Sequence, residues 1–474
     1  MKKKFKALII VGSILAGITA LSVVTVGTAA LGAGGFYLGL AISRSTRKNT
    51  DPEHVEPPKE GNKLVFANHR SLYDKDGNLL RLKGVNAGNV LVSEGWISPY
   101  SCGPAYNDDG SIKMDRDGNV EYPELSEEEV YAALNSNENL SDEQRQELID
   151  VYRYNWMSEA DFTRIKEEFH MNAIRLPYYW RNILDEAEDG TLTRKSEDEA
   201  FGYLDWFMQQ CLDNDIYCIL DLHGAVKSQN GYEHSGAISR DMLWRDEAAI
   251  EATCDVWRYV AEHYKDSPLG EAIATYDLLN EPCGEYQDKT TDICYPVFDR
   301  MYKAIRETGD NHVITIEGCW DYSKFVNPKK YGWENIQYEI HLYNWDWLGF
   351  TQEQFYNFIE ATRIGHDFDV PYFVGEFTLF DESYDFWDKW LGYYDQLGYS
   401  WTLWTYKKTV VGWWNDNWGL YNYRLYLNNQ THEQKVDLRS AKYEDLKPVF
   451  ECSNTTNCYK SIAGNNVAKY LANH

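Results

Sequence analysis

The sequence predicts an α/β protein, a TIM-type (β/α)8 barrel with an N-terminal hairpin and an insertion after the first strand. Two observations predict it. Eight short apolar runs recur along the chain, and segments with apolar residues three and four apart lie between most of them. A third observation argues against a doubly wound nucleotide-binding sheet: no G-x-G-x-x-G turn follows an early strand.

The N-terminus comes first. "MKKKFK" is basic, and residues 7–42 carry no charge before the basic "RSTRK". That uncharged stretch is longer than the roughly 20 residues that cross a bilayer. The basic start favours an N-in orientation, with the remainder outside the cytoplasm. Residues 1–43 are read as a single-pass anchor on the extracellular face of the cell membrane. The alternative is a signal peptide cut near "VGTAA", giving a secreted protein. Residues 44–62 are polar and contain proline, as a tether does, and 63–474 form the barrel domain.

The hairpin turns at Asp76-Gly77. The strands then follow at 80–88, 172–179, 217–224, 274–282, 313–318, 336–343, 371–377 and 400–406. Helical patterns include "MSEADFTRIKEEFH", opened by the capping-box pair Ser158 and Asp161, and the stretch 247–264. The interval at about 99–156 is acidic and partly helical, an insertion over one end of the barrel whose acidic face is expected in solvent. Nine cysteines leave at least one unpaired, and an exported location permits disulfides. Cys452 and Cys458 are spaced to close a short loop, as are Cys283 and Cys294.

Composition narrows the partners. Hydrophobic content of 43% and charged content of 25% describe a globular chain. A net charge of −28 repels nucleic acid and anionic lipid surfaces. Aromatics reach 15%, and their flat faces suit sugar rings as well as a core.

Barrel enzymes carry their chemistry at the carboxyl ends of the strands. Those ends here are Asn86, Arg175, His223, Asn280-Glu281, Glu317, His341 with Tyr343, Glu376 and Trp404. Each has an ordinary alternative: Arg175 as a buried ion pair, the histidines as satisfied core groups, and Asn-Glu-Pro as a loop start. Eight polar ends converging on one rim favour a site. Glu281 and Glu376 follow the fourth and seventh strands, on roughly opposite sides of the ring. Two facing carboxylates suit glycoside hydrolysis, one protonated and one ionised. The acid is expected above the ordinary carboxyl range.

At these residues the chain resembles glycoside hydrolase family 5. "IRLP", "DLHG", "LLNEP", "EIHLY", "VGEF" and "TLWTY" fall in the family's order across 80–406. The resemblance implies a retaining mechanism, with Glu281 as acid/base and Glu376 as nucleophile. It implies Asn280 on the sugar 2-hydroxyl, and Arg175 and Tyr343 orienting the nucleophile. His223 and His341 would line the site, with Trp404 beneath the reacting sugar. "LKGVNAGNVLVSEGWISP" and "DLHGAVKSQNGYEHSG" resemble the exo-β-1,3-glucanase branch. There Glu94 matches a glutamate that binds the terminal glucose, and Trp96 lies beside it. The chain departs from that branch at Asn89-Val90, at Gly95 and at His234, where the branch has Gly-Trp, Pro and Asn.

The expectation is a monomeric β-glucosidase or glucanase, exo-acting on β-glucan or oligosaccharide, with no cofactor and no metal. An endo-acting β-glucanase is the nearest alternative. A surface glycan-binding protein without turnover has no need of both glutamates. A metal-dependent barrel hydrolase lacks a His-x-His after the first strand.

Overall fold

The computed structural model describes residues 49–474 except 60–61, 115–117, 119, 239–241, 283–289, 319–321, 346–347, 364, 410–417, 424, 428–429 and 433–434. Eight parallel strands close a barrel. In chain order they are β1 (Lys83–Asn86), β2 (Ala173–Tyr179), β3 (Tyr217–Gly224), β4 (Ile273–Asp277), β5 (Val313–Glu317), β6 (Ile336–Leu342), β7 (Tyr372–Phe377) and β8 (Ser400–Leu403). Pairing of β8 with β1, Trp401 opposite Lys83, completes the circle. All eight expected strands are present, shortened at their ends where the chain leaves the ladder for the rim.

Helices return most strands to the amino end. α1 (Glu127–Ser136) and α2 (Asp142–Trp156) lie between β1 and β2. α3 (Glu197–Asp213), α4 (Glu247–Tyr264) and α5 (Thr290–Arg306) follow β2, β3 and β4. α6 (Gln352–Arg363) and α7 (Tyr384–Leu397) follow β6 and β7. Among the described residues the β5–β6 link holds 3-10 turns rather than an α-helix. α8 (Tyr443–Cys452) and α9 (Ile462–Asn473) end the chain. Ser158 and Asp161 do form a capping box, the Ser158 amide donating to Asp161 at 2.8 Å.

The barrel interior changes character along its axis. At the amino end Leu82, Ala173, Ile219, Val313 and Phe373 form an apolar plug, closed by Val65, Leu72 and Leu80 of the hairpin sheet. Next come Thr275, Thr315 and Gln337, hydrogen-bonded together at 2.6 and 2.8 Å. Then come buried Arg175, Asp221, Asp277, Glu317 and Glu339. Residues two apart on a strand share a face, so each inward position sits one layer above the last.

The tether assignment changes from Asn49 onward. Asn49 donates to Gln396 O at 3.3 Å, and Val55 donates to Gly77 O at 2.9 Å along the hairpin. Gly77 has φ +84°, and a side chain there would strike the Val55 carbonyl. The anchor assigned to residues 1–43 lies outside the described residues, among which no helix is long and apolar enough to cross a membrane. No disulfide joins Cys452 to Cys458: both are free thiols. Cys294 Sγ donates to Pro282 O at 3.7 Å, and Cys283 lies outside the described residues.

The insertion is part of the core as well as an acidic surface. Leu148, Tyr152 and Trp156 of α2 are buried. Trp156 Nε1 donates to Gly88 O at 2.9 Å, and Tyr152 donates to Asn89 O at 3.0 Å, both on the loop leaving β1. Trp156→Ala is therefore expected to cost about 3–5 kcal/mol in chemical denaturation, the range for large core truncations. A loss within about 0.5 kcal/mol, as at a surface position, would mean that the insertion only rests on the barrel.

Candidate active site

Arg175 organises the mouth of the barrel. It points inward from β2 and is fully buried. Its Nε donates to Asp277 at 2.9 Å, its Nη1 to Asn86 at 3.1 Å and Glu376 at 3.0 Å, and its Nη2 to Asn280 at 2.9 Å. Asp221 lies 3.2 Å and Glu339 3.5 Å from the same guanidinium. Burial opposes its charge, but the carboxylates of Asp221, Glu339, Asp277 and Glu376 raise its pKa well above normal. The planar fork suits this task because it reaches several acceptors at once.

The surrounding acids lie above the ordinary carboxyl range. Burial pushes Asp221 up to about 7, Asp277 to about 6 and Glu339 to about 7, against the pull of Arg175. Glu317 is raised well above the carboxyl range, again chiefly by burial. Low dielectric favours the neutral carboxyl wherever cations are too few.

Glu376, at the end of β7, accepts from Arg175 and from the Tyr343 hydroxyl at 2.9 Å. Asn280 turns its Oδ1 to Arg175, which leaves its Nδ2 end to donate elsewhere. Gln229 Nε2 donates to Asn280 O at 2.8 Å. Glu281 follows with φ +42°, an uncommon conformation for a residue with a side chain. Its amide donates to Glu317 and its carbonyl accepts from Asn230 Nδ2 at 3.1 Å, so both neighbours hold the turn.

Two imidazoles bracket the Glu281 carboxylate. His341 Nδ1 is 2.9 Å from Oε1, and His234 Nε2 is 3.1 Å from Oε2. The other nitrogen of His341 faces Glu339 at 3.2 Å. Burial works against a charge on His341, yet Glu317, Glu376, Glu281 and Glu339 raise its pKa well above normal. For Glu281 the expected direction is reversed. Burial raises its pKa, but the His234 charge and the bonds from His234 and His341 hold it below the usual carboxylate range.

The other sequence candidates converge on the same mouth. His223 Nδ1 lies 2.6 Å from Asp221, and its ring stacks on Trp404 at 5.5 Å. Burial holds His223 well below the usual imidazole range. Trp96 Nε1 donates to Glu94 at 2.6 Å. Burial pushes Glu94 up to about 8, with the charge of Glu376 among the contributors. Trp96 meets Trp418 edge-on at 5.1 Å, and Trp418 packs on Tyr343 at 5.4 Å, linking the β1 loop to the Glu376 side of the mouth.

Sequence reasoning missed Asp221, Asp277 and Glu339. Asp221 precedes His223 by two residues and Glu339 precedes His341 by two, so strand parity carried the signal. Trp418 lies beyond the eighth strand and had none. Glu281, His341 and Glu376 bring donor atoms within 4.8 Å of one another, the set a metal enzyme would draw on. Hydrogen bonds from His341, Tyr343 and Arg175 account for that closeness.

Residues 138–409 match the family model described as cellulase (glycosyl hydrolase family 5). A β-xylosidase of Phanerodontia chrysosporium is 30% identical over 58% of this chain and 50% of its own length. Glucan 1,3-beta-glucosidase 2 of Saccharomyces cerevisiae is 25% identical over 65% of this chain and 55% of its own. The chain thus spans about half the length of the curated relatives it matches. Rutinosidase from Aspergillus niger superposes with a TM-score of 0.53 at 15% identity, covering 77% of this chain and 96% of that one, which shows a shared fold. With the family model matched over more than half its length, the chain belongs to glycoside hydrolase family 5.

Proposed function

We propose that this chain is a retaining glycoside hydrolase that cleaves β-glucosidic bonds in β-glucans or β-gluco-oligosaccharides. One observation carries the reading: one carboxylate oxygen of Glu281 and one of Glu376 lie within 4.8 Å of each other. Retaining enzymes hold the pair about 5–5.5 Å apart, whereas inverting ones need about 6.5–9.5 Å to admit a water. The glucan 1,3-beta-glucosidase relatives support the β-glucan substrate class.

Each side chain then has a task. Glu376 attacks the anomeric carbon, its second oxygen and orientation fixed by Tyr343 and Arg175. Glu281 donates to the leaving oxygen, then takes the proton of the water that releases the sugar. Asn280 Nδ2 serves the 2-hydroxyl. Trp404, backed by His223, offers its face to the sugar ring. Glu94 and Trp96 close the non-reducing end, so release is exo and yields glucose. The uncharged stretch at 7–42 supports display of the barrel outside the cytoplasm.

Glu376→Ala is expected to abolish turnover of every substrate, since no covalent intermediate forms. Glu281→Ala should lose about 10²–10⁴-fold on poor leaving groups and far less on activated aryl glycosides. Equal losses on both would remove Glu281 from the acid role, and an inverted anomer in early product spectra would remove the double displacement. Time-resolved product sizing tests the exo reading. Glucose alone among early products, weakened in Glu94→Ala, supports it, whereas mixed oligosaccharides with a fast fall in viscosity favour endo action. Treatment with EDTA should leave activity unchanged; loss restored by added metal would favour the metal-dependent alternative.

A further inference from the structure

The chain enters the barrel from the end opposite the candidate site. Asn49 is already docked there. Its amide donates to Gln396 O at 3.3 Å and its Nδ2 to the Ser71 hydroxyl at 3.1 Å. It also covers Gly398, where a side chain would overlap it. Gln396 and Gly398 lie where α7 ends and β8 is about to begin, and Ser71 belongs to the hairpin sheet that closes the barrel. Both mark the amino end.

The following residues stay on that end. Asp51 accepts from the Arg70 amide at 3.0 Å and from the Ser71 hydroxyl at 2.6 Å. Pro52 O accepts from the Tyr73 hydroxyl at 2.9 Å, and the Leu79 amide donates to Glu53 O at 2.7 Å. Such a run of bonds fixes the direction of the chain as well as its position. Glu281, after β4, and Glu376, at the end of β7, stand at the carboxyl ends of the strands.

Little chain is left to bridge to a membrane. Phe36, Leu38, Leu40 and Ile42 favour lipid over water, and the first charge after them is Arg44. Six residues, Ser43 to Lys48, separate this apolar stretch from docked Asn49. Fully extended they span roughly 20 Å, at about 3.3–3.6 Å each. To lay the mouth on the same bilayer, the chain would have to climb the outside of the barrel. β2 alone has seven residues. That is roughly 23 Å of strand at about 3.3 Å per residue, and the hairpin sheet below and the loops above lengthen the path.

We propose that the barrel stands with its amino end towards the bilayer and its mouth away from it. It then takes glycans that arrive from outside, in solution or in a surrounding matrix, and not the sugar headgroups of lipids in its own membrane. This rests on the anchor reading of residues 7–42. Chain length sets the orientation, not adhesion. Lys63, Arg70 and Lys83 at the amino end already meet Glu271, Asp367 and Asp395 at 2.7–3.1 Å, so these cations are not spare for lipid phosphates. A net charge of −28 further disfavours lying flat on an anionic surface.

The test is energy transfer from the full chain to the membrane. The chain is reconstituted in phosphatidylcholine vesicles with an acceptor-labelled lipid in both leaflets. A donor dye is carried by a non-natural azide side chain at one of two exposed positions. One is Asp76 in the hairpin turn, and the other is Met242 on the loop after β3. The expected result is transfer at least about twofold stronger from Asp76, given a strand's length between the two. A variant with about 30 Gly and Ser residues inserted between Ser45 and Thr46 should level the two positions, since such a linker is a flexible coil. Its melting temperature should be unchanged. Equal transfer from both positions in the parent chain, or stronger transfer from Met242, would overturn the proposal. A difference that survives in the lengthened chain would overturn chain length as its cause, in favour of adhesion. Failure of the anchor reading shows separately. A chain that washes off the vesicles in alkaline carbonate, with no transfer from either position, removes that reading and the orientation with it.

Discussion

A single buried guanidinium holds this site together. Arg175 contacts Asp221, Asp277 and Glu376 at 2.8–3.2 Å, and two amide side chains besides. Taking one such ion out of water costs several kcal/mol, and the cost is recovered only if every donor finds an acceptor. Here the donors also reach the side chains that matter for chemistry. Orientation of Glu376 and of the Asn280 amide follows from the same five N–H groups. Arg175 has more acidic neighbours than one positive charge can serve. Burial outweighs the pull of that one charge, so Asp221, Asp277, Glu317 and Glu339 are all raised above the ordinary carboxyl range. The site is a lattice of buried acids around one guanidinium.

The barrel grades towards that lattice. Aliphatic side chains fill the amino end, hydroxyls and an amide the middle, and ionisable groups the top. Each step lets the next layer be polar without contact with hydrocarbon. Gly375 shows how tight the upper layer is: a Cβ there would overlap the Glu339 carboxylate, and its carbonyl already accepts from Asn86 at 2.9 Å. The glycine of "VGEF" is what lets Glu339 reach both Arg175 and His341 beneath Glu376. Such rigid dipoles need no rearrangement as charge moves during reaction.

Much of this was legible beforehand. Eight strands and their polar ends follow from apolar runs that stop at Asn86, His223, Glu281 and Glu376, because parity and strand length fix which residue meets the rim. The inner acids were legible in principle, two residues before the named histidines, but a list of strand ends passes over them. What was not legible is the direction of the Glu281 shift. A carboxyl facing a sugar cleft is ordinarily raised, and only the approach of two imidazoles from β6 and the β3 loop reverses it. Sequence separation hides that meeting. The docking of residues 49–55 on the hairpin was hidden for a similar reason, since backbone bonds such as Leu79 to Glu53 leave no side-chain trace.

The insertion explains why the unusual loops sit where they do. The first turn of α1 touches both. Glu127 accepts from the Ser93 amide at 2.8 Å, next to Glu94, and the Glu128 amide donates to Gly236 O at 3.0 Å, two residues past His234. The Glu128 carboxylate accepts from Tyr179 at 2.8 Å and Arg181 at 2.7 Å, which ties it to the end of β2. Acidic side chains at a helix N-terminus are favoured by its dipole, and here they also reach outward as acceptors. So one helix end braces the loop with Glu94 and the loop with His234, whose Nε2 lies 3.1 Å from Glu281. The positions where this chain departs from the branch it resembles, Asn89-Val90, Gly95 and His234, lie on the two loops that this brace joins. Two loops at the barrel mouth are therefore held by one structural element, packed on the barrel through Trp156.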